Sequence, residues 1–516
     1  MPEYLSPGVY IEEFEIGAKP IEGVSTSTAG FLGETERGPT TPTLVTSWLD
    51  YQRKFGSYFG ENKYLPYAVQ GFFDNGGKRC YIGRIVKAGD TPATLASLKL
   101  GNALTADAVG EGSWGNRIAL IVEKGTSSTD VNQLFKLRIY YWKKNPDSLY
   151  DPKQDEKTLP RPAAAEEFDD LSVTEDSPNY YEKRINGVSK LIRLSKKNNE
   201  DSGELPSEPG ELTYLEGGID GDGALVLLDY TRTETNDPGK RRGLTGFSEV
   251  DGISIIYCPN PFSVQGLAKQ LITHCENLKD RFAIIDSEQG AAEVDKLKPR
   301  DDLDTKYAAF YYPWVKLVDP QSGSLRLVPV GGHIAGIYAR SDIERGVYKA
   351  PANEIVRGVK QLEFQITKGE QDILNPRGVN AVRAFPGRGI RVWGARTLSS
   401  DPLWKYINVR RLFIYIEESI EQGTQWVVFE PNDQKLWARV RQTITQFLTT
   451  VWRDGALMGT KAEEAFFVKC DRTTMTQDDI DNGRLICIIG VAPVKPAEFV
   501  IFRITQFSGG SELEEI

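Results

Sequence analysis

Two histidines, His274 and His333, are the only imidazoles in the chain, so the base of a hydrolase triad would have to be one of them. His333 is flanked by Gly331, Gly332 and Ile334. With Ser263, Ser324 or Ser341 as nucleophile and one of many aspartates as orienter, it could belong to a hydrolase triad. No serine sits in a Gly-x-Ser-x-Gly elbow, however, and a histidine packed among glycines reads more simply as core. The adjacent carboxylates Asp301-Asp302 and Glu463-Glu464 fit solvated helix starts, the second within a capping box opened by Thr460. The Gly- and Asp-rich run 215–223 could cradle phosphate or calcium, but it lacks the lysine of a P-loop and the closing Glu of an EF-hand, and reads as a turn. Cys80, Cys258, Cys275, Cys470 and Cys487 are scattered without a CxxC pair, which indicates neither a disulfide framework nor a zinc site. The residues therefore give no positive argument for catalysis, a cofactor or a metal.

The elements that would position these groups follow from periodicity. A strand over 28–33, helices over 48–55 and 64–74 and a strand over 79–86 give α/β ordering and a mainly parallel sheet, with further strands over 117–124 and 134–142. From 143 to about 210 the composition shifts to Pro, Asp, Glu, Lys and Ser, which places a surface elaboration there. Strand, helix and strand recur over 252–286 as a βαβ unit, and 306–318 and 328–338 are expected to continue the sheet. A helical turn over 370–375 and a hairpin over 379–393 lead to the last part of the chain.

Residues 401–506 carry the densest structural signals. Asp401-Pro402 opens a helix closed by Gly423, with Val409, Phe413, Ile416 and Ile420 on its apolar face and Arg410, Arg411, Glu417, Glu418 and Glu421 on a charged one. A strand over 424–429 and a second helix bearing Trp437, Val440, Ile444, Leu448 and Val451 follow, then strands over 465–470, 484–492 and 498–504. The last strand lies beyond Pro493 and Pro496 and needs an edge to pair with, as does the alternating piece Val9, Tyr10, Ile11, Glu12 near the start.

Composition excludes several classes. At 516 residues the chain should divide into several domains, and 40% hydrophobic with 26% charged residues is a globular balance. A net charge of -10 argues against a nucleic-acid or anionic-membrane binder. No window reaches the length of a membrane span, and the first ten residues lack the order of a signal peptide, so no stable membrane insertion and folding in the cytoplasm are expected.

Several words of the sequence are similar to those of the sheath proteins of contractile phage tails and related injection systems. They are Arg410-Arg411-Leu412-Phe413-Ile414, the run from Trp426 through Glu430-Pro431-Asn432, Trp452-Arg453-Asp454-Gly455, Phe466-Phe467-Val468-Lys469-Cys470-Asp471, and Pro493-Val494-Lys495-Pro496 with Glu498-Phe499. Leu5-Ser6-Pro7-Gly8-Val9-Tyr10, Trp114-Gly115-Asn116, Tyr311-Tyr312-Pro313-Trp314, Ala339-Arg340 and Lys349-Ala350-Pro351 extend the resemblance over most of the length, fading between about 143 and 217.

The resemblance implies a multidomain α/β and α+β protein. Its parts would be an arm over 1–22, an α/β sheath body over 23–125 and 251–398, a surface insertion over 126–250, a C-terminal α+β assembly domain over 399–506 and a tail over 507–516. It implies stacked hexameric rings of copies of the chain around an inner tube, baseplate and terminal cap proteins as further partners, and contraction that drives the tube through a target membrane. Assembly would take place in the cytoplasm into a phage tail or tail-like particle, with extracellular release as an option. Val9, Tyr10, Ile11 and Glu12, and Phe499, Val500, Ile501, Phe502 and Ile504, would add as strands to neighbouring copies. The charged face with Arg410, Arg411, Glu417, Glu418 and Glu421 is the candidate tube contact. The alternatives are an α/β hydrolase with an oligomerising C-terminal domain and a tube, cap or baseplate component, against the last of which length and α/β pattern count.

Overall fold

The computed structural model describes residues 20–89, 91–101, 104–129, 133–155, 157–196, 205–206, 211–232 and 237–503. Its central strand, β1 (Ala29–Gly33), is buried at every position, as a short apolar run is when helices cover both faces of a parallel sheet. After β2 (Thr43–Val45), Ser47 accepts a hydrogen bond from the Asp50 amide and starts α1 (Trp48–Phe55). Pro66 in the first turn starts α2 (Leu65–Asp74), and β3 (Cys80–Arg84) then returns parallel to β1.

The chain next leaves the sheet for an inserted unit: β4 (Ser97–Leu100), β5 (Leu104–Ala108), β6 (Ile118–Lys124), β7 (Phe135–Tyr141), β8 (Ala164–Leu171), α3 (Tyr181–Ile185), β9 (Ile192–Lys196) and β10 (Thr213–Tyr214). Two antiparallel sheets, β4-β5-β9 and β10-β6-β7-β8, enclose a separate core around Trp114, Leu120, Leu137, Ile139 and Leu194. The expected boundary at 125/126 falls between β6 and β7, which pair from Ile118 with Tyr141 to Lys124 with Phe135, so the insertion begins before β4. An apolar strand reads the same whichever sheet it joins.

Beyond α4 (Leu227–Thr231) and α5 (Gly243–Phe247) come β11 (Ile255–Tyr257), α6 (Leu267–Leu278), β12 (Phe282–Asp286), α7 (Arg300–Leu303) and β13 (Ala308–Tyr312). A small sheet of β14 (Val315–Val318), β15 (Leu325–Val328) and, after α8 (Gly331–Arg345), β16 (Gln361–Leu362) precedes α9 (Lys368–Leu374) and the hairpin β17 (Val379–Phe385) and β18 (Gly389–Val392). The main sheet has the order β18-β17-β13-β12-β11-β1-β3-β2, parallel from β17 to β3. Residues 328–338, expected as strand, are mostly the first half of α8. Its glycines let two helix backbones touch: a Cβ on Gly332 would overlap Ala68 of α2, and one on Gly336 would lie 2.8 Å from the Asn75 side chain. So short and evenly apolar a run carries no period to separate helix from strand.

The C-terminal unit contains α10 (Ile407–Gly423), α11 (Gln434–Arg453), α12 (Ala462–Ala465), β19 (Phe466–Lys469), α13 (Gln477–Asp481) and β20 (Ile488–Val491). Leu412 and Ile416 of α10 face Trp437, Val440, Ile444, Leu448 and Val451 of α11, the apolar face anticipated there. Asp433 caps α11 by accepting from the Leu436 amide, whereas Asp401 caps only a 3-10 turn, Pro402–Trp404, and α10 starts at Ile407. The strand expected over 424–429 is absent. A 3-10 turn, Gln425–Val427, takes its place, and Trp426 serves as packing surface beneath the Arg439 guanidinium, 4.6 Å away.

Candidate assembly interface

β19 and β20 pair antiparallel from Phe466 with Val491 to Lys469 with Ile488 and make a sheet of two strands. One face lies on α11, where Phe466 is buried. The opposite face presents Phe467 and Ile488, each about half exposed at 50% and 47%. Among the described residues neither outer edge of this hairpin pairs with a third strand of its ladder. Unpaired edges beside exposed apolar side chains are templates for strands from elsewhere.

The strand expected over 498–504 is not among the strands of the described residues. The chain leaves β20 through contacts with 456–458, the Met458 amide donating to Ala492 O and the Val494 amide to Ala456 O, and then passes Pro493 and Pro496, which lack ladder donors. It is next held by Glu498, whose carboxylate accepts from Arg396 Nε (2.7 Å) and Nη2 (2.9 Å), Asn375 Nδ2 (2.7 Å) and Tyr406 Oη (2.9 Å), with Lys405 Nζ 3.5 Å away. Burial alone would raise the pKa of this carboxyl. The hydrogen bonds from Arg396, Asn375 and Tyr406 outweigh it and hold it near 2. Directly after this anchor, Phe499, Val500, Ile501 and Phe502 are 72%, 67%, 80% and 83% exposed. Burying four such side chains is worth roughly 6–12 kcal/mol, which a free chain forgoes. Ile504 and the tail 507–516 lie outside the described residues.

The segment leading out of the N-terminus is also anchored. Val9, Tyr10, Ile11 and Glu12 lie outside the described residues, but 20–28 is stitched between the body and the C-terminal unit. Ile21 enters the core of the C-terminal unit, and the Val24 amide donates to Ser419 Oγ on α10. Thr26 Oγ1 donates to Asp342 on α8, and its carbonyl accepts from Arg411 Nη2 on α10. Arg411 and Asp342 form a two-pronged ion pair at 2.9 and 2.6 Å, each side chain 3% exposed, with the guanidinium over the Tyr338 ring. Both terminal segments are thus held by charged hydrogen-bonded clusters at their roots.

This arrangement corrects the reading of the charged face of α10. Arg410 and Arg411 are buried, at 1% and 3% exposure. Arg410 stacks among Trp404, Tyr307 and Phe413 and pairs with Glu417, because the body's α7–β13 segment and the turn before α10 cover that side of the helix. Glu417 and Glu421 are exposed and Glu418 is half-buried, its pKa raised by burial and by the neighbouring Asp280, Glu421 and Asp251. What remains in reach of a partner is acidic.

The hydrolase constellation is not assembled. His333 is 2% exposed, its ring against Gly71 of α2 and its Nδ1 without a partner. None of the three serines is hydrogen-bonded to it: Ser263 Oγ donates to Asn260 O, Ser324 pairs with Ser322 in a surface turn, and Ser341 Oγ is buried without a partner. His274 lies against Arg281. Sequence reasoning missed Asp342, Arg396 and Glu498 as anchors. Their partners lie 69 to 316 residues away, and only the position of Glu498, an acid between a proline and an apolar run, hinted at a role.

Comparison with known proteins bears on this geometry. Residues 241–398 match the phage tail sheath protein central domain, and 399–507 match the phage tail sheath C-terminal domain, together more than half of the 516 residues. A tail sheath protein of Vibrio phage KVP40 is 28% identical over 252 residues, covering 48% of this chain and 36% of its own. One from Burkholderia phage BcepMu is 31% identical over 160 residues, 29% of this chain and 34% of its own. The chain therefore spans about a third of the length of these curated relatives. The helical sheath of the anti-feeding prophage in its contracted state superposes with a TM-score of 0.59 at 26% identity, covering 98% of this chain and 99% of the other.

Proposed function

Because the chain belongs to the contractile phage tail sheath family, we propose that it is the sheath subunit of a phage tail or tail-like injection particle, a structural protein rather than an enzyme. Copies of it stack as hexameric rings around an inner tube, and the sleeve contracts to drive that tube through a target membrane. The observation that carries this reading is the combination of a two-stranded hairpin open on both edges among the described residues with four exposed apolar residues, Phe499 to Phe502, directly after a clamped root. A segment anchored at Glu498 does not fold back onto its own hairpin among the described residues, yet it has the composition to complete a neighbour's.

In this account residues 9–12 and 499–504 of neighbouring copies add to the free edges of β19 and β20. Each backbone hydrogen bond so formed contributes about 0.5–1.5 kcal/mol. The arms keep copies linked while the bodies shift as rigid units during contraction, gaining buried intersubunit surface. Glu417, Glu418 and Glu421 are the candidate tube contact, and the burial of Arg410 and Arg411 makes a basic tube surface the matching partner. Baseplate and terminal cap proteins close the two ends, and assembly takes place in the cytoplasm.

Negative-stain electron microscopy of the purified chain, alone and with its inner-tube protein, tests the reading. Hollow striated cylinders of uniform width are expected. Only monomers and small closed rings in both preparations would refute it.

A further inference from the structure

The ladder of β19 and β20 ends at Lys469 opposite Ile488, so the next residues outward, Cys470 and Cys487, face each other across the mouth of the hairpin. Both side chains belong to the core of the C-terminal unit, Cys470 within it and Cys487 packed against it. Cys470 is buried and Cys487 is half-buried, and all five cysteines of the chain are free thiols. The loop between them, 471–486, is itself ordered: Asp471 accepts from the Thr473 amide, Thr474 Oγ1 donates to Ile486 O, and Thr476 caps α13. Directly opposed residues of an antiparallel pair lie about 4.5–5.5 Å apart at Cα, within the spacing of a disulfide. Cys80, Cys258 and Cys275 belong instead to the core of the body.

We propose that Cys470 and Cys487 are an oxidation site, forming an intramolecular disulfide that staples the mouth of the hairpin when the protein meets an oxidising thiol–disulfide couple such as oxidised glutathione. The half-buried Cys487 thiolate attacks one glutathione sulfur, forming a mixed disulfide and releasing one glutathione thiolate. Cys470 then attacks the Cys487 sulfur and releases the second glutathione. The two protons leave with the two released thiols, and the two electrons lost by the cysteines reduce the oxidant. Burial raises both thiol pKa values, Cys487 to about 12, while the nearby Arg441 pulls them down, so the reaction is slow and the pair is a crosslink rather than a redox catalyst. The staple would fix the register of the two strands that carry the open edges, since a one-residue slip turns every side chain to the opposite face. The chemistry follows from the hairpin alone and does not rest on the sheath reading.

The test uses the purified full chain equilibrated with oxidised glutathione and, in parallel, with excess reductant. Oxidation should lower the thiol count in denaturant from five to three, reduce the intact mass by two hydrogens and yield a crosslinked peptide joining Cys470 to Cys487. The thermal midpoint of the oxidised form should rise by on the order of 10 °C in the C-terminal unit, the loop being about 15 residues long. Cys487→Ser should show neither the mass change nor the shift. Five thiols after prolonged oxidation, a disulfide joining another pair, or a stable glutathione adduct without the crosslink would each overturn the proposal.

Discussion

Replacing Arg411 by Met should loosen the root of the N-terminal segment without changing the shape of α10. Methionine fills much of the same volume but supplies none of the three hydrogen bonds that Arg411 donates, two to Asp342 and one to the Thr26 carbonyl. Asp342 would keep only Thr26 Oγ1 while remaining about as buried as before. Breaking one side of a buried ion pair costs about 3–5 kcal/mol, and this pair is enclosed on both sides. At about 1.4 kcal/mol per tenfold, a loss near 4 kcal/mol speeds local opening roughly 1000-fold. Hydrogen exchange read by mass spectrometry on peptides spanning 21–28 and 407–416 measures that opening directly. Arg411→Met combined with Asp342→Leu removes the stranded charge and should recover most of the loss, because the desolvated carboxylate rather than the missing attraction dominates it. Exchange within tenfold of the parent in the single variant, or no recovery in the double variant, would refute the reasoning.

Three further outcomes follow from the same geometry. Phe499→Asp with Ile501→Asp should leave the thermal midpoint of the isolated subunit unchanged, since both side chains are exposed, and should abolish polymerisation seen by sedimentation; unchanged sheath yield would remove the segment from assembly. Gly332→Val should destabilise the body by about 3 kcal/mol or more, measured by urea unfolding, because its Cβ overlaps the Ala68 backbone; a neutral result would mean that α2 and α8 separate easily. Burial holds His333 near pKa 4, so between pH 6.5 and 4 the unfolded chain binds a proton that the native chain does not, and stability falls as acid is added. His333→Gln should remove about 3 kcal/mol of that loss over the window, read as the difference between variant and parent at pH 7 and pH 4, and a difference that does not change with pH would contradict a buried neutral imidazole.

Much of the fold was legible where local signals and tertiary packing agree. The helices at Trp48–Phe55 and Leu65–Asp74 form where the periodicity places them, and Trp437, Val440, Ile444, Leu448 and Val451 form one buried face. Misreadings came where a residue type serves two purposes. The glycines of 331–336 suit a close-packed strand or helix equally, and the Trp and Val of 424–429 mark packing surface rather than a strand. Helical spacing alone places Arg410 and Arg411 on an exposed face, yet the Trp404 ring from the preceding turn, the Tyr307 ring and a carboxylate from α8, the last two from distant parts of the chain, bury them. The paired strands β19 and β20 and the apolar run after Glu498 are legible in the sequence. The anchors are not, because an ion pair between residues some hundred positions apart leaves no local pattern.

A helical cryo-electron microscopy reconstruction of the assembled protein, traced from arm to arm, bears most directly on the central claim. The account predicts that both free edges of β19 and β20 are hydrogen-bonded to strands from other copies, built from residues 9–12 and 499–504. Free edges, or edges filled by the same copy's own terminal segments, would contradict it.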